Sequence, residues 1–218
     1  MTRALGPEVV EAIWAAIEPI LPPPDTSHPL GCHNPRVPDK VCFRGILIRL
    51  VTGSSWVDIE AIMNFEVSDT TLRRRRDQWI DAGVFEQLEA EARAGYDHIL
   101  ELDLDVVAID GSLHKAPCGG EGTGPNPTDR AKLGWKWSAG SDRAGIPVGW
   151  AIDAANRNDI RLLDPTNTWW TNHGQLRRNT DCRTRHRHAA LQLATTVLIV
   201  GRLLDYRNRW SPKPTPTG

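Results

Sequence analysis

At 218 residues, with a formal net charge of -1 and a hydrophobic fraction of 40%, the chain has room for one large domain or two small ones and apolar surface enough for a core. This composition excludes a disordered tail and a membrane-embedded protein, and the near-neutral balance means that any affinity for nucleic acid has to come from local charge. The cysteines Cys32, Cys42, Cys118 and Cys182 show no C-x-x-C pairing and the N-terminus has no basic region followed by an apolar one, so reduced thiols and a cytoplasmic location are expected.

A first helix is predicted over residues 7–18, with Pro7 in its first turn and Val10, Ile13, Trp14 and Ile17 on one apolar face. Pro19, Pro22, Pro23 and Pro24 stop it, and a Pro-rich connector follows. His28, Cys32 and His33 lie in that connector without a second ligand pair, so the spacing does not argue for zinc. A second helix, 39–52, turns Phe43, Ile46, Leu47 and Leu50 inward with Cys42 beside them, and Gly53 ends it.

The next stretch, SSWVDIEAIMNFEVSDTTLRRRRDQWIDAGVFEQL, has the grammar of a helix-turn-helix. Ser55 can cap a short helix through Met63, residues 64–67 make the turn, and Ser68 or Asp69 caps a longer helix to about Ala82. Ile59, Ile62 and Met63 are expected to pack on Leu72 and Trp79. Thr70, Arg73, Arg74, Arg75 and Arg76 then fall near the start of the second helix, the part that enters a major groove in this motif. Four consecutive arginines cannot share one helical face, so some are expected on phosphates and others on bases; a solvated basic face is the alternative.

After Gly83 a helix is expected through about Ala94, and a short connector leads to LDVVAIDGSLHKAP. Val106, Val107, Ala108 and Ile109 have the pattern of an interior strand, and Gly111 with Ser112 suggests an immediate turn. Asp110 would then stand at the strand's carboxyl end, where a divalent cation or a substrate can reach it. The other explanation is an acid that ends a strand by bonding the turn backbone. The loop CGGEGTGPNPTDR is too rich in Gly and Pro for regular structure and does not match a phosphate-binding glycine motif. Residues 133–139 and 146–152 read as a hairpin around SDRAG, with Trp135, Trp137 and Trp150 packing on the sheet.

Positive charge returns in QLRRNTDCRTRHRHA, where Arg177, Arg178, Arg183, Arg185 and Arg187 are opposed only by Asp181, a density that suits a phosphate backbone. The apolar stretch 189–204, interrupted by Gln192, Thr195, Thr196 and Arg202, reads as a buried helix rather than a membrane span.

These segments together resemble the insertion-sequence transposases of the DDE class, which join a helical N-terminal DNA-binding region to a ribonuclease-H-like catalytic domain. The resemblance is carried by EAIWAAIEPILPPP, AIDGSLHKAP, GGEGTGPNPTDR, KLGWKWS, GIPVGWAIDAANRNDIRLLDPT and TNTWWTNHGQLRRNTD, spread over most of the chain. It implies that Asp110 is the first of three catalytic acids and a metal ligand. It also implies magnesium as the cofactor, for in-line attack on a DNA phosphodiester, and double-stranded DNA, the element's terminal inverted repeats, as the partner.

The chain departs from that pattern after the hairpin. No D-R-G-Y-D segment with a second Asp occurs, and the position expected for the third acid before Thr166 and Asn167 holds Asp164 and Pro165. An internal deletion joined near Asp164 accounts for this, with Asp164 as the one remaining catalytic candidate beside Asp110. Asp153 and Asp159 are nearby but align with no triad position. Losing the strand that bears the second Asp would leave the sheet with a bare edge. A 189–204 helix without its full partner surface would favour a homodimer or aggregation.

The expected fold is therefore α+β: an N-terminal helix-turn-helix-like region over residues 1–100, then an incomplete ribonuclease-H-like α/β domain over 101–210. That domain would keep a three-stranded sheet remnant and C-terminal helices, with a disordered tail over 211–218. The expected function is DNA binding and transposition with catalysis lost through the deletion. A non-catalytic protein on the element's terminal repeats, or an unfolded relic, are the alternatives.

Overall fold

A computed structural model describes residues 5–24, 36–105, 107–157 and 181–210. Helix α1, Pro7–Ile17, buries Ile13, Trp14 and Ile17, and a 3-10 turn, Glu18–Ile20, closes it around Pro19 and ahead of Pro22, Pro23 and Pro24. Helix α2, Asp39–Thr52, ends at Gly53, whose left-handed φ of 70° lets its N–H reach the Arg49 carbonyl at 2.8 Å. A Cβ on Gly45 would sit 2.6 Å from Leu72 Cδ2 and 2.9 Å from Met63 Sδ, so the absence of a side chain there sets how closely α2 approaches the next two helices.

Helix α3, Trp56–Ile62, starts at a reciprocal capping box, Ser55 Oγ accepting from Asp58 N–H while the Asp58 carboxylate accepts from Ser55 N–H. Asn64 and Phe65, at φ of 52° and 59°, turn the chain into helix α4, Asp69–Asp81, which Ser68 caps. Ile59, Met63, Leu72 and Trp79 pack as the periodicity requires, but Ile62 points to solvent. Helix α5, Val84–Leu100, follows Gly83 and runs beyond the expected end near Ala94. The extra turns are held by Tyr96, which is buried with Ile146 and Ile199 in a small second cluster.

The sheet is antiparallel and differs from the expectation in three ways. Strand β1, Ala108–Lys115, does not stop at Asp110. Gly111 and Ser112 continue in it because the whole strand pairs with β3, Leu133–Ser141, from Ala108↔Ser141 to Lys115↔Gly134. That ladder overrides the local turn preference. Second, β1 is an edge strand among the described residues, and its first half is exposed instead of interior. Third, the Gly- and Pro-rich loop contributes a two-residue strand β2, Gly124–Pro125, so the sheet has four strands. Strand β4, Pro147–Ala154, pairs on the other side of β3, which is central.

The face of β3 that carries Trp135, Trp137 and Ala139 packs into one continuous apolar core with α1 to α5 and with helix α6, Thr184–Trp210. Described residues thus contain one C-terminal helix. It does not lack a partner surface: Leu191, Leu193 and Ala194 are buried, and α5 is its main neighbour. By length and composition α6 could cross a bilayer, but half of its most apolar window is buried within the fold.

Candidate nucleic-acid interface

Helical geometry divides the four arginines of α4. Positions 72, 75, 76 and 79 form one stripe at i, i+3, i+4, i+7, and Leu72, Arg75, Arg76 and Trp79 are the buried residues of the helix. Positions 70, 73 and 74 form the opposite stripe, and Thr70, Arg73 and Arg74 are exposed. The expectation that Arg75 and Arg76 meet DNA is therefore corrected, because their side chains point into the protein. Arg75 is ion-paired with Asp39 and donates to the Val37 carbonyl at 3.4 Å. Burial, with Arg36 nearby, pulls its guanidinium down to about 10, still charged at neutral pH.

Arg76 belongs to a buried charge cluster centred on Asp181. The Asp181 carboxylate accepts from Arg49 Nη2 at 3.2 Å and from Arg76 Nη1 at 3.3 Å, with side chains only 4%, 3% and 9% exposed respectively. Both guanidiniums lie over the Trp56 ring, at 4.6 Å and 5.0 Å. Arg49 also donates to the Ser54 carbonyl at 2.6 Å, and Arg76 Nη2 lies 2.9 Å from Asp77. Burial lowers the Arg49 pKa while Asp181 holds it up. His186 Nε2 lies 3.3 Å from Arg76 Nη2 and 3.0 Å from Asp77 Oδ1. Its pKa is lowered, first by burial and then by the Arg76 charge, so the ring is neutral at pH 7.

Among the described residues of the second basic run, Arg187 is internal and Arg185 is ion-paired at the surface. Arg187 is fully buried and donates to the backbone carbonyls of Asp181 at 3.0 Å and Gly119 at 3.4 Å, and to that of Glu121. Glu121 in turn caps the start of α6 through Thr184 N–H at 3.0 Å. Gly120 must be glycine here, since a Cβ would fall 2.3 Å from the Cys182 carbonyl oxygen. Arg185 is ion-paired with Asp81 and lies 3.7 Å from Asp77. Arg183 is exposed. Arg177 and Arg178 lie outside the described residues. Of the residues expected on DNA, those outward on α4 are Thr70, Arg74, and Arg73, which pairs with Asp69 at 2.7 Å across one helical turn. Such an exposed i,i+4 pair holds about 0.5 kcal/mol or less, so a phosphate can compete for that arginine.

Asp110 is exposed on β1, opposite Ala139, on the same sheet face as Ser112 and His114. His114 is buried against Trp137, ring centroids 3.9 Å apart. Asp153 is opposite Lys136, which pairs with Leu113 on its other side, so its side chain belongs to the other face of the sheet from Asp110. No group of three or more His, Cys, Asp or Glu that could hold a metal ion occurs among the described residues. Asp164 and Asp159 lie outside them. A two-magnesium site needs several carboxylates on one locus, and the described residues do not fit it.

Comparison with known proteins gives two matches. Residues 9–89, spanning α1 through the first part of α5, match the family described as "Putative transposase of IS4/5 family (DUF4096)". The chain is also 32% identical over 121 residues, 56% of its own length and 82% of the relative's, to the "Insertion element IS402 uncharacterized 16.2 kDa protein" of Burkholderia cepacia. No solved structure matches the chain.

Proposed function

Because the chain belongs to the insertion-sequence transposases of the IS4/5 kind, we propose that it binds double-stranded DNA at its element's terminal inverted repeats without cutting it. The observation that carries this is the exposed stripe of Thr70, Arg73 and Arg74 at the start of a Ser68-capped helix, with the opposite stripe fixed in the core. In a helix-turn-helix docking, α4 would enter the major groove N-terminus first. Arg73 and Arg74 would meet phosphates or a guanine edge, and Thr70 a base or phosphate. Arg183 adds a cation at the start of α6, and Arg177 and Arg178 belong to the same basic run.

On this proposal the helices of residues 1–100 are the DNA-binding region, and 101–210 keep part of a ribonuclease-H-like domain. An antiparallel meander with Asp110 on its outermost strand supports the second point. The missing second-Asp segment would have extended the sheet beside β1. Asp110 alone cannot hold two magnesium ions a few ångströms apart, and Asp164 precedes Pro165, which disfavours the helical conformation for it. The test is a binding and nicking assay on labelled terminal-repeat duplex with the full chain. We expect retention of the repeat over a shuffled duplex, and equal background nicking by the wild type and Asp110→Ala with magnesium or manganese. Metal-dependent nicking that disappears in Asp110→Ala would overturn the non-catalytic part. Equal affinity for repeat and shuffled DNA would overturn terminal-repeat recognition.

A further inference from the structure

Strand β1 uses only half of its hydrogen-bonding capacity among the described residues. Ala116 N–H donates to the Leu133 carbonyl at 2.9 Å, immediately beyond the β1–β3 register. In an antiparallel ladder hydrogen-bonded and non-hydrogen-bonded pairs alternate. The even-numbered residues of β1 therefore direct their N–H and C=O groups at β3, and Ile109, Gly111, Leu113 and Lys115 direct theirs outward. The side chains of these same alternate residues stand on the sheet face away from Trp135 and Trp137. Ile109 is 57% exposed and Leu113 41%. Backbone and apolar side chains are thus uncovered at the same positions, on a strand with no proline and no bulge in its pairing with β3. Such an edge is a template for another strand.

We propose that β1 pairs antiparallel with β1 of a second copy of this chain, about a two-fold axis through Gly111, joining the two sheets into one. A two-fold interface uses the same patch twice, and this strand is self-complementary in one register. Centred on Gly111, Ile109 lies opposite Leu113 of the second copy on each side of the axis, and the side chain missing at Gly111 leaves the four apolar groups room to meet. Asp110 then faces Ser112, a hydroxyl that can donate to it. Lys115 falls beside Val107 and diagonally within reach of Asp105, an opposite charge. Lys115 is exposed and now pairs with Asp129 at 3.2 Å, so it is positioned at the surface to make this contact. Shifting the axis to Asp110 sets two carboxylates opposite each other. Shifting it to Ser112 places Ile109 opposite Lys115. The contact differs from a helix-mediated dimer, since α6 is already covered by α5.

The test is sedimentation velocity on the full chain from low to high micromolar concentration, together with residue-level amide exchange. The expected result is a monomer–dimer equilibrium in which the amides of Ile109, Gly111 and Leu113 gain protection as concentration rises. Ile109→Lys combined with Leu113→Lys should raise the dissociation constant at least about tenfold. Both side chains lie outside the core, and an unchanged far-UV circular dichroism spectrum serves as the folding control. A monomer at every concentration overturns the proposal, as does a dimer in which those three amides stay unprotected. So does a dimer that the double lysine variant leaves equally tight.

Discussion

Asp181→Asn removes a charge and almost no volume, which makes it the sharpest perturbation of the buried cluster. In the wild type this carboxylate lies 3.2 Å from Arg49 and 3.3 Å from Arg76, with all three side chains under 10% exposed. Taking one partner from a buried ion pair costs about 3–5 kcal/mol, because the remaining charge stays desolvated. Arg76 retains Asp77 at 2.9 Å, and Arg49 retains the Ser54 carbonyl and the Trp56 ring, so the lower end, about 3 kcal/mol, is expected. For a chain of this size that corresponds to a fall in melting temperature of about 6–12 °C. The assay is urea unfolding followed by tryptophan fluorescence, with Trp56 as a reporter under both guanidiniums. Arg49→Met in the Asp181→Asn background should recover about 1–2 kcal/mol by removing the stranded cation, a coupling that additive effects would not give. DNA affinity of the folded variant should not rise. A loss below about 1 kcal/mol, or tighter DNA binding by an unmasked Arg76, would refute the reasoning.

Two further outcomes follow from burial of titratable groups. His186 and His188 both have pKa values lowered by burial from the ordinary 6.5, so between that value and their lower folded values the unfolded chain binds more protons. Stability should be unaffected by these rings above pH 6.5 and should fall as the pH drops below it, and His186→Gln should flatten that fall; denaturant midpoints between pH 7 and about 5 check this. Burial also pushes the Cys42 thiol up to about 11, whereas Cys118 and Cys182 are exposed. Alkylation in the native state near pH 8, read by peptide mass spectrometry, should label the two exposed cysteines and spare Cys42; rapid labelling of Cys42 would contradict its burial.

Much of the helical half was legible because its signals are local and agree with one another. Pro7, Ser55, Ser68, Gly53 and Gly83 mark helix ends that the structure uses. The division of the arginines was also within reach of periodicity: once Leu72 and Trp79 are assigned inward, positions 75 and 76 lie on the same stripe. Arginine's charge argued against putting them there, and the compensating acids, Asp39 for Arg75 and Asp181 for Arg76, lie outside α4, beyond any local pattern. A hint was present, since Asp181 is the lone acid in its basic run. The sheet was less legible. Gly111–Ser112 carries a turn signal, and only the long-range ladder with β3 overrides it, leaving Asp110 inside an exposed edge strand rather than at the end of a buried one. The staple made by Arg187 on the carbonyls of Gly119, Glu121 and Asp181 has no sequence signature, because its acceptors are backbone groups.

On the proposed function, the outward stripe of α4 is the principal DNA contact of this transposase-family chain. The most direct measurement is the salt dependence of binding to terminal-repeat duplex for the wild type and for Arg73→Ala combined with Arg74→Ala. Each phosphate contact contributes about 0.9 to the slope of log K against log salt, so losing both arginines should reduce the slope by about 0.9 where one grips a phosphate and about 1.8 where both do, with the fold unchanged. An unchanged slope in a folded variant would place the DNA contacts elsewhere and contradict the account.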